Sequence, residues 1–313
     1  MDYLILLAGF VTLLVSGDFL VRGGVSLARH FRISTLVVGL TVVSLGTSAP
    51  ELMVSLKAAL IGQADFATGT VIGSNISNIA LVLGLTAIIL PLRVNRRSTV
   101  IDWPIMFGAI ILFFLFISDR VLGFFEGLMF VLLLVAFIFF SIYQSRKSLS
   151  KDQKEIPPPV YSLWLSFLII LIAIIGLRLG ADWLVKGASG IARSFGISDY
   201  LISVSIIAFG TSVPELATSL IAAVKRETDI SIGNIIGSNL FNILGILGIT
   251  ALFKPIPVNE QILSFDIFWL AALCVVLLLM MLPLKSGRIS RWNGAVLVLS
   301  YLVYLMVIFS GKL

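Results

Sequence analysis

Apolar runs of about 20 residues follow one another along the chain, and the polar gaps between them are too short to fold on their own. Such a chain folds as membrane-crossing α-helices, because lipid offers backbone N–H and C=O groups no partner outside a helix or a closed barrel. Ten spans are expected, at about 3–29, 34–61, 66–91, 99–118, 121–143, 161–190, 198–224, 229–253, 262–284 and 292–310. The fold class is thus an all-α polytopic membrane protein, multi-pass in the cell membrane (the inner membrane in a bacterium) with the lipid bilayer as its surroundings. Met1-Asp2 leads straight into apolar sequence with no basic leader or small-residue cleavage site, so the first span is expected to be retained.

The net charge of +6 is spread over the gaps in a way that sets an orientation. With the N-terminus outside, the inward gaps hold Arg29, Arg32, Arg93, Arg96, Arg97, Arg146, Lys147, Lys151, Lys154, Lys225, Arg226, Lys285, Arg288 and Arg291. The outward gaps and ends hold only Lys57, Arg120, Lys186, Arg193, Lys254 and Lys312. Basic residues favour the cytoplasmic side, so the N-terminus is expected outside. No basic face interleaved with aromatics points to nucleic acid, and no obligatory protein partner is evident.

Laid on itself at an offset of 164, the sequence matches without a gap from about Asp18 to Asn95. Asp18 meets Asp182, Gly46-Thr47-Ser48-Ala49-Pro50-Glu51 meets Gly210-Thr211-Ser212-Val213-Pro214-Glu215, and Gly73-Ser74-Asn75-Ile76-Ser77-Asn78 meets Gly237-Ser238-Asn239-Leu240-Phe241-Asn242. The chain divides accordingly into a first five-helix repeat (1–145), a cytoplasmic linker (146–160, closing on Pro157-Pro158-Pro159) and a second repeat (161–313). Five spans per half is odd, so the second half is expected to enter the membrane inverted. Interrupted helices at corresponding places in inverted halves point to a transport site near the midplane.

The two matched hexapeptides carry that site. Proline in a helix interior removes a hydrogen bond, so Pro50 and Pro214 are expected to break the second and seventh spans just before Glu51 and Glu215. An acid in hydrocarbon costs roughly 2.5–3.5 kcal/mol, which favours a functional reading of both glutamates and one shared cation between them. Thr47, Ser48, Thr211 and Ser212 add hydroxyl oxygens, while Ser74, Asn75, Asn78, Ser238, Asn239 and Asn242 add neutral ones from the third and eighth spans. Hard oxygen donors of this kind suit Ca²⁺ or Na⁺ and not soft transition metals. Ser, Thr and Asn also serve as hydrogen-bonding glue between helices, a role that accounts poorly for the glutamates.

Asp18 and Asp182 each have a basic residue four positions on, Arg22 and Lys186, and read as local ion pairs; Arg178 is a second candidate partner for Asp182. Asp102 and Asp266 correspond near span ends, where solvation is cheap. His30 is the only histidine and Cys274 the only cysteine, so no zinc-protease motif, Ser-His-Asp triad, thiolate cluster or disulfide can be assembled, and no phosphate-binding loop occurs. The chain is not expected to be an enzyme or to need a cofactor.

At these motifs the sequence resembles the sodium/calcium exchangers of the cation/calcium antiporter superfamily. The resemblance implies ten helices in two inverted repeats and Ca²⁺ exported against Na⁺ entry. It implies Glu51 and Glu215 as the carboxylate ligands and the carbonyls of Thr47 and Thr211 completing the Ca²⁺ shell. Ser48, Ser74, Asn78, Ala208, Ser212, Ser238 and Asn242 would line Na⁺ positions. Neutral Asn78 and Asn242 depart from the potassium-dependent branch, which carries Asp at the second position. Gly-Thr-Ser-x-Pro-Glu departs from the proton-coupled relatives. The alternatives are a proton/Ca²⁺ antiporter, a passive cation channel and a non-transporting scaffold.

Overall fold

The computed structural model describes residues 1–151, 157–197, 202, 208–282 and 287–310. Among these, nine helices are long and apolar enough to cross a membrane: α1 (Asp2–Phe31), α2 (Thr35–Leu60), α3 (Phe66–Ile89), α4 (Ser98–Asp119), α5 (Phe124–Ser150), α6 (Leu163–Ser194), α8 (Thr228–Phe253), α9 (Ile262–Met281) and α10 (Arg291–Phe309). The shorter α7 (Val213–Val224) follows a single turn at Ala208–Gly210. The first part of the expected seventh span, at 198–201 and 203–207, lies outside the described residues, as do 152–156 of the expected linker.

Elements recur at the repeat offset. Strand β1 (Leu92–Arg93) corresponds to β3 (Ile256–Pro257), and the π-helical turn Ser98–Asp102 to Ile262–Asp266. Pairing crosses the halves: β1 joins β4 (Arg288–Ile289), and β2 (Val121–Leu122) joins β3. The close approach of Gly84 in α3 to Gly294 in α10 is matched by Gly248 in α8 against Gly127 in α5.

These contacts sort the connections onto two ends. At one, Arg29 Nη1 donates to Pro158 O (3.1 Å), His30 Nε2 meets Tyr161 O (2.7 Å), Ser34 N–H donates to Ser145 Oγ (2.7 Å) and β1 pairs with β4. Arg93, Arg96, Arg97, Arg146 and Arg288 gather with them, making this the basic end. The α7–α8 turn lies here too, because Arg226, Glu227 and Thr228 share a cavity of about 270 Å³ with Thr35, Arg93 and Asn95. The opposite end carries the β2–β3 pair and the exposed Arg120–Glu260 ion pair (3.1 Å).

The longest interface joins α1 and α6, which run antiparallel with glycines at the crossing: Gly9 lies against Leu184 and Gly180, Gly23 against Ile169 and Ile170, and Gly187 against Leu6. Small residues are what let helix backbones meet in lipid, where no hydrophobic drive presses helices together. A Cβ on Gly187 would sit 2.5 Å from Leu6 N and 2.8 Å from Asp2 O, backbone atoms that cannot step aside. Gly187→Val is therefore expected to destabilise the bundle by about 1–3 kcal/mol, the usual cost of overpacking. Thermal unfolding in detergent checks this, and an unchanged melting temperature would count against the close crossing.

Three expectations need correction. Helix α2 does not break at Pro50: an α-helix runs from Ser44 to Leu60 through the proline, preceded by a π-helical turn at Gly39–Val43. Hydroxyls compensate nearby, with Thr41 Oγ1 donating to Val37 O (2.6 Å), Ser44 Oγ to Leu40 O (2.9 Å) and Thr47 Oγ1 to Ser44 O (3.2 Å). Such bonds and local π widening are how intramembrane prolines are accommodated. Of the two candidate partners of Asp182, the pair found is with Arg178 (3.2 Å), one turn before it, where Lys186 had the matching position in the repeat. Asp102 and Asp266 are not cheaply solvated span-end acids: they are 0% and 8% exposed. The π-helical turns rotate them inward, where Arg97, five residues before Asp102 and so on the same π face, lies 3.5 Å from it and Tyr304 OH donates to Asp266 Oδ1 (3.0 Å).

Candidate functional site

Four helices meet around the two glutamates. On α2, Thr47, Glu51 and Ser55 are spaced by one turn and share a face. On α7, Glu215 and Ser219 do the same, with Glu215 in the first turn, where the helix dipole favours negative charge. Helix α3 brings Ser74, Asn75, Ser77 and Asn78, and α8 brings Asn234, Ser238, Asn239 and Asn242. All of these side chains are buried, Glu51 at 3% and Glu215 at 2% exposure.

Hydrogen bonds lock the four helices together. Ser48 Oγ donates to Glu215 Oε1 (3.2 Å), tying α2 to α7 across the site. Thr47 Oγ1 reaches Asn234 Oδ1 (3.2 Å) and lies 3.4 Å from Ser238 Oγ, tying α2 to α8. Asn234 Nδ2 donates to Ser219 Oγ (3.0 Å), which joins α8 to α7. Asn75 Nδ2 donates to Asn239 O (3.3 Å) and Asn242 Nδ2 to Asn75 Oδ1 (2.9 Å), which joins α3 to α8. Both acids are buried, and the bond from Ser48, on the turn before Glu51, to Glu215 sets α2 and α7 side by side at their height.

The network leaves over a set of buried acceptors: among the described residues, Glu51 Oε2, Glu215 Oε2, Asn78 Oδ1, Asn239 Oδ1 and Asn242 Oδ1 have no hydrogen-bond partner, and neither do the hydroxyls of Ser55 and Thr218. Native structures rarely strand buried polar atoms unless water or an ion meets them. Two negative charges among neutral oxygens call for a cation, and a hard one. No group of three or more His, Cys, Asp or Glu suited to a metal occurs among the described residues.

The structure thus brings together Thr47, Ser48, Glu51, Asn78, Glu215, Ser238 and Asn242 within one interlocked set of helices. Ser74 is buried one turn before Asn78, and Ser212 is buried at the turn before Glu215. Thr211 stands in that turn; Ala208 contributes backbone at Ala208–Gly210, its side chain lying outside the description. Pro50 removes the donor four residues after Gly46, so in α2 the carbonyl it leaves free is that of Gly46, adjacent to Thr47. Sequence reasoning missed Asn234, Ser219 and Ser55. The signal was available, since Ser55 and Ser219 correspond at the 164 offset, each one turn beyond its glutamate, and Asn234 lies one turn before Ser238.

Comparison with known proteins shows the family to which the chain belongs. The family model described as sodium/calcium exchanger protein matches residues 1–143 and 165–310. The chain belongs to the sodium/calcium exchanger family. Within this exchanger family it is 31% identical to the sodium/calcium exchanger MaX1 of Methanosarcina acetivorans, covering 98% of both chains. It is 34% identical to the inner membrane protein YrbG of Escherichia coli, over 97% of this chain and 96% of that one. Among solved structures, it superposes on the sodium-calcium exchanger NCX_Mj soaked with zero Na⁺ and Ca²⁺ with a TM-score of 0.83 and 31% identity, covering 98% of each chain. As a member of this exchanger family the protein is a multi-pass membrane transporter of the cation/Ca²⁺ antiport class.

Proposed function

We propose that the protein exports Ca²⁺ in exchange for Na⁺, with both ions competing for the oxygens between Glu51 and Glu215. The observation that carries this is the surplus of buried acceptors around two buried carboxylates on neighbouring helices. Ca²⁺ would take Glu51, Glu215 and the carbonyls of the Gly46–Thr47 and Thr211 segments. Na⁺ would use Ser48, Ser74, Asn78, Ala208, Ser212, Ser238 and Asn242 beside the same glutamates.

Exchange follows from charge balance. Two uncompensated acids in the membrane interior cost roughly 5–7 kcal/mol together, so an empty site crosses thousands of times more slowly than a neutralised one. One Ca²⁺ or several Na⁺ removes that penalty, and neither ion needs a separate coupling device. Alternating access would come from α1 and α6 sliding as a pair against the other eight helices, an idea supported by their continuous glycine-lined contact. The recurring elements and crossed strand pairs fit halves 1–145 and 161–313 related by inversion, joined by 146–160 with the basic end in the cytoplasm. Neutral Asn78 and Asn242 favour transport without K⁺.

The test is radioactive Ca²⁺ uptake into proteoliposomes loaded with Na⁺, with K⁺, with no cation, or with a pH gradient alone. Uptake driven by internal Na⁺ and indifferent to K⁺ is expected. Uptake driven by the pH gradient without Na⁺ would make the protein a proton antiporter, and uptake without any counter-ion a channel.

A further inference from the structure

Helix α1 carries Asp18 and the neighbouring Gly17 to the end of α7. Gly17 lies against Ile221, and one turn further along α7 Lys225 Nζ forms an ion pair with Asp18 Oδ1. The other oxygen, Asp18 Oδ2, accepts from Arg22 Nε on its own helix (2.6 Å). One acid is therefore held twice: by a residue that travels with it, and by a residue of a different helix.

The repeat makes this second contact unusual. Asp18 corresponds to Asp182 and Arg22 to Lys186, but Lys225 corresponds to Ile61. In the second half Asp182 pairs with Arg178, again on its own helix. A cross-helix ion pair at Asp18 thus depends on a lysine whose counterpart in the other half is an isoleucine that can form none. A contact that can form in only one of two related access states biases the equilibrium between them by its own free energy.

We propose that Lys225 is a positioning residue for transport: its ion pair with Asp18 holds α1 against α7 at the basic end and favours the state closed on that side. This rests on the sliding of α1 and α6 described above. The pair also leaves the ion site untouched, since neither residue belongs to the oxygen set around Glu51 and Glu215. Lys225 and Asp18 side chains are 29% and 28% exposed, so screening limits the bias to about two- to fivefold. Removing Lys225 leaves Asp18 compensated by Arg22, so Lys225→Gln strands no buried charge.

The experiment places a reporter cysteine at Ile221, a change that only removes volume, and labels it in Na⁺-containing proteoliposomes with a membrane-impermeant maleimide from the basic-end side. Cys274, the native thiol, is fully buried and silent. Lys225→Gln is expected to raise the labelling rate about two- to fivefold. It should also lower the half-saturating Ca²⁺ at the basic face and raise it at the other, because shifting a two-state equilibrium changes apparent affinity oppositely on the two sides. Lys225→Arg, which keeps the charge, should behave as the parent. Unchanged labelling and unchanged half-saturation on both faces in Lys225→Gln would overturn the proposal while leaving sliding intact, and so would an Arg variant that behaves like Gln. A reporter that is never labelled under any ion condition would overturn sliding itself and the positioning role with it.

Discussion

Glu51→Gln and Glu215→Gln are each expected to lower Na⁺-driven Ca²⁺ uptake by about a hundredfold or more while leaving the bundle folded. Glutamine keeps the shape and a carbonyl oxygen, so packing at these buried positions hardly changes. The charge is what disappears, and a divalent ion then enters the membrane interior with one positive charge uncompensated. That costs roughly 2.5–3.5 kcal/mol on insertion scales, and each 1.4 kcal/mol is about a factor of ten in affinity. Stability should move the other way. In ion-free buffer the parent buries two acids with no cation to compensate them, so each Gln variant should melt higher than the parent, and Ca²⁺ should raise the parent's melting temperature far more than the variant's. Uptake assays and thermal unfolding with and without Ca²⁺ measure both halves. A Gln variant that transports normally would remove the glutamates from the mechanism.

A disulfide between α2 and α6 should stop turnover altogether. A Cβ on Gly46 would sit 2.8 Å from Ile174 Cγ1, one bond from the Ile174 Cβ. That places the two Cβ atoms within reach of the roughly 3.5–4.5 Å a disulfide requires. In Gly46→Cys with Ile174→Cys, the sulfur added at 46 takes space that the shortened side chain at 174 gives up. Oxidation would pin α6 to the ion-binding core at the height of the Gly46–Glu51 motif. The oxidised protein should bind Ca²⁺ and fail to exchange it, and reduction should restore exchange. Full exchange in the oxidised form would exclude relative motion of these two helices.

Much of this molecule is legible in its sequence because lipid makes the pattern simple: a helix is the only local answer, and its length is set by the bilayer. The spans fall within a few residues of their expected ends, apart from α5, which continues to Ser150, and the seventh, which is described only from Ala208. The repeat offset also carried structural detail, placing β1 with β3 and the two π-helical turns in register. What local reasoning could not supply was the response of a helix to its neighbours. Pro50 and Pro214 look alike in sequence, yet hydroxyl back-bonding carries α2 through one and a turn at Thr211–Ser212 precedes the other. Asp102 and Asp266 stand at helix starts, and only the π geometry turns them into the bundle. Asn234 escaped because its counterpart at the offset is Thr70, so the repeat did not mark it.

Exchange by charge balance requires Glu51 and Glu215 to share one ion, and anomalous scattering from a crystal soaked with Ca²⁺ would locate that ion. The expected result is a single divalent peak about 2.3–2.6 Å from a carboxylate oxygen of each glutamate, the usual Ca²⁺–oxygen distance. A peak held by one glutamate alone, or a saturating Ca²⁺ signal elsewhere in the bundle with none between the two acids, would contradict it.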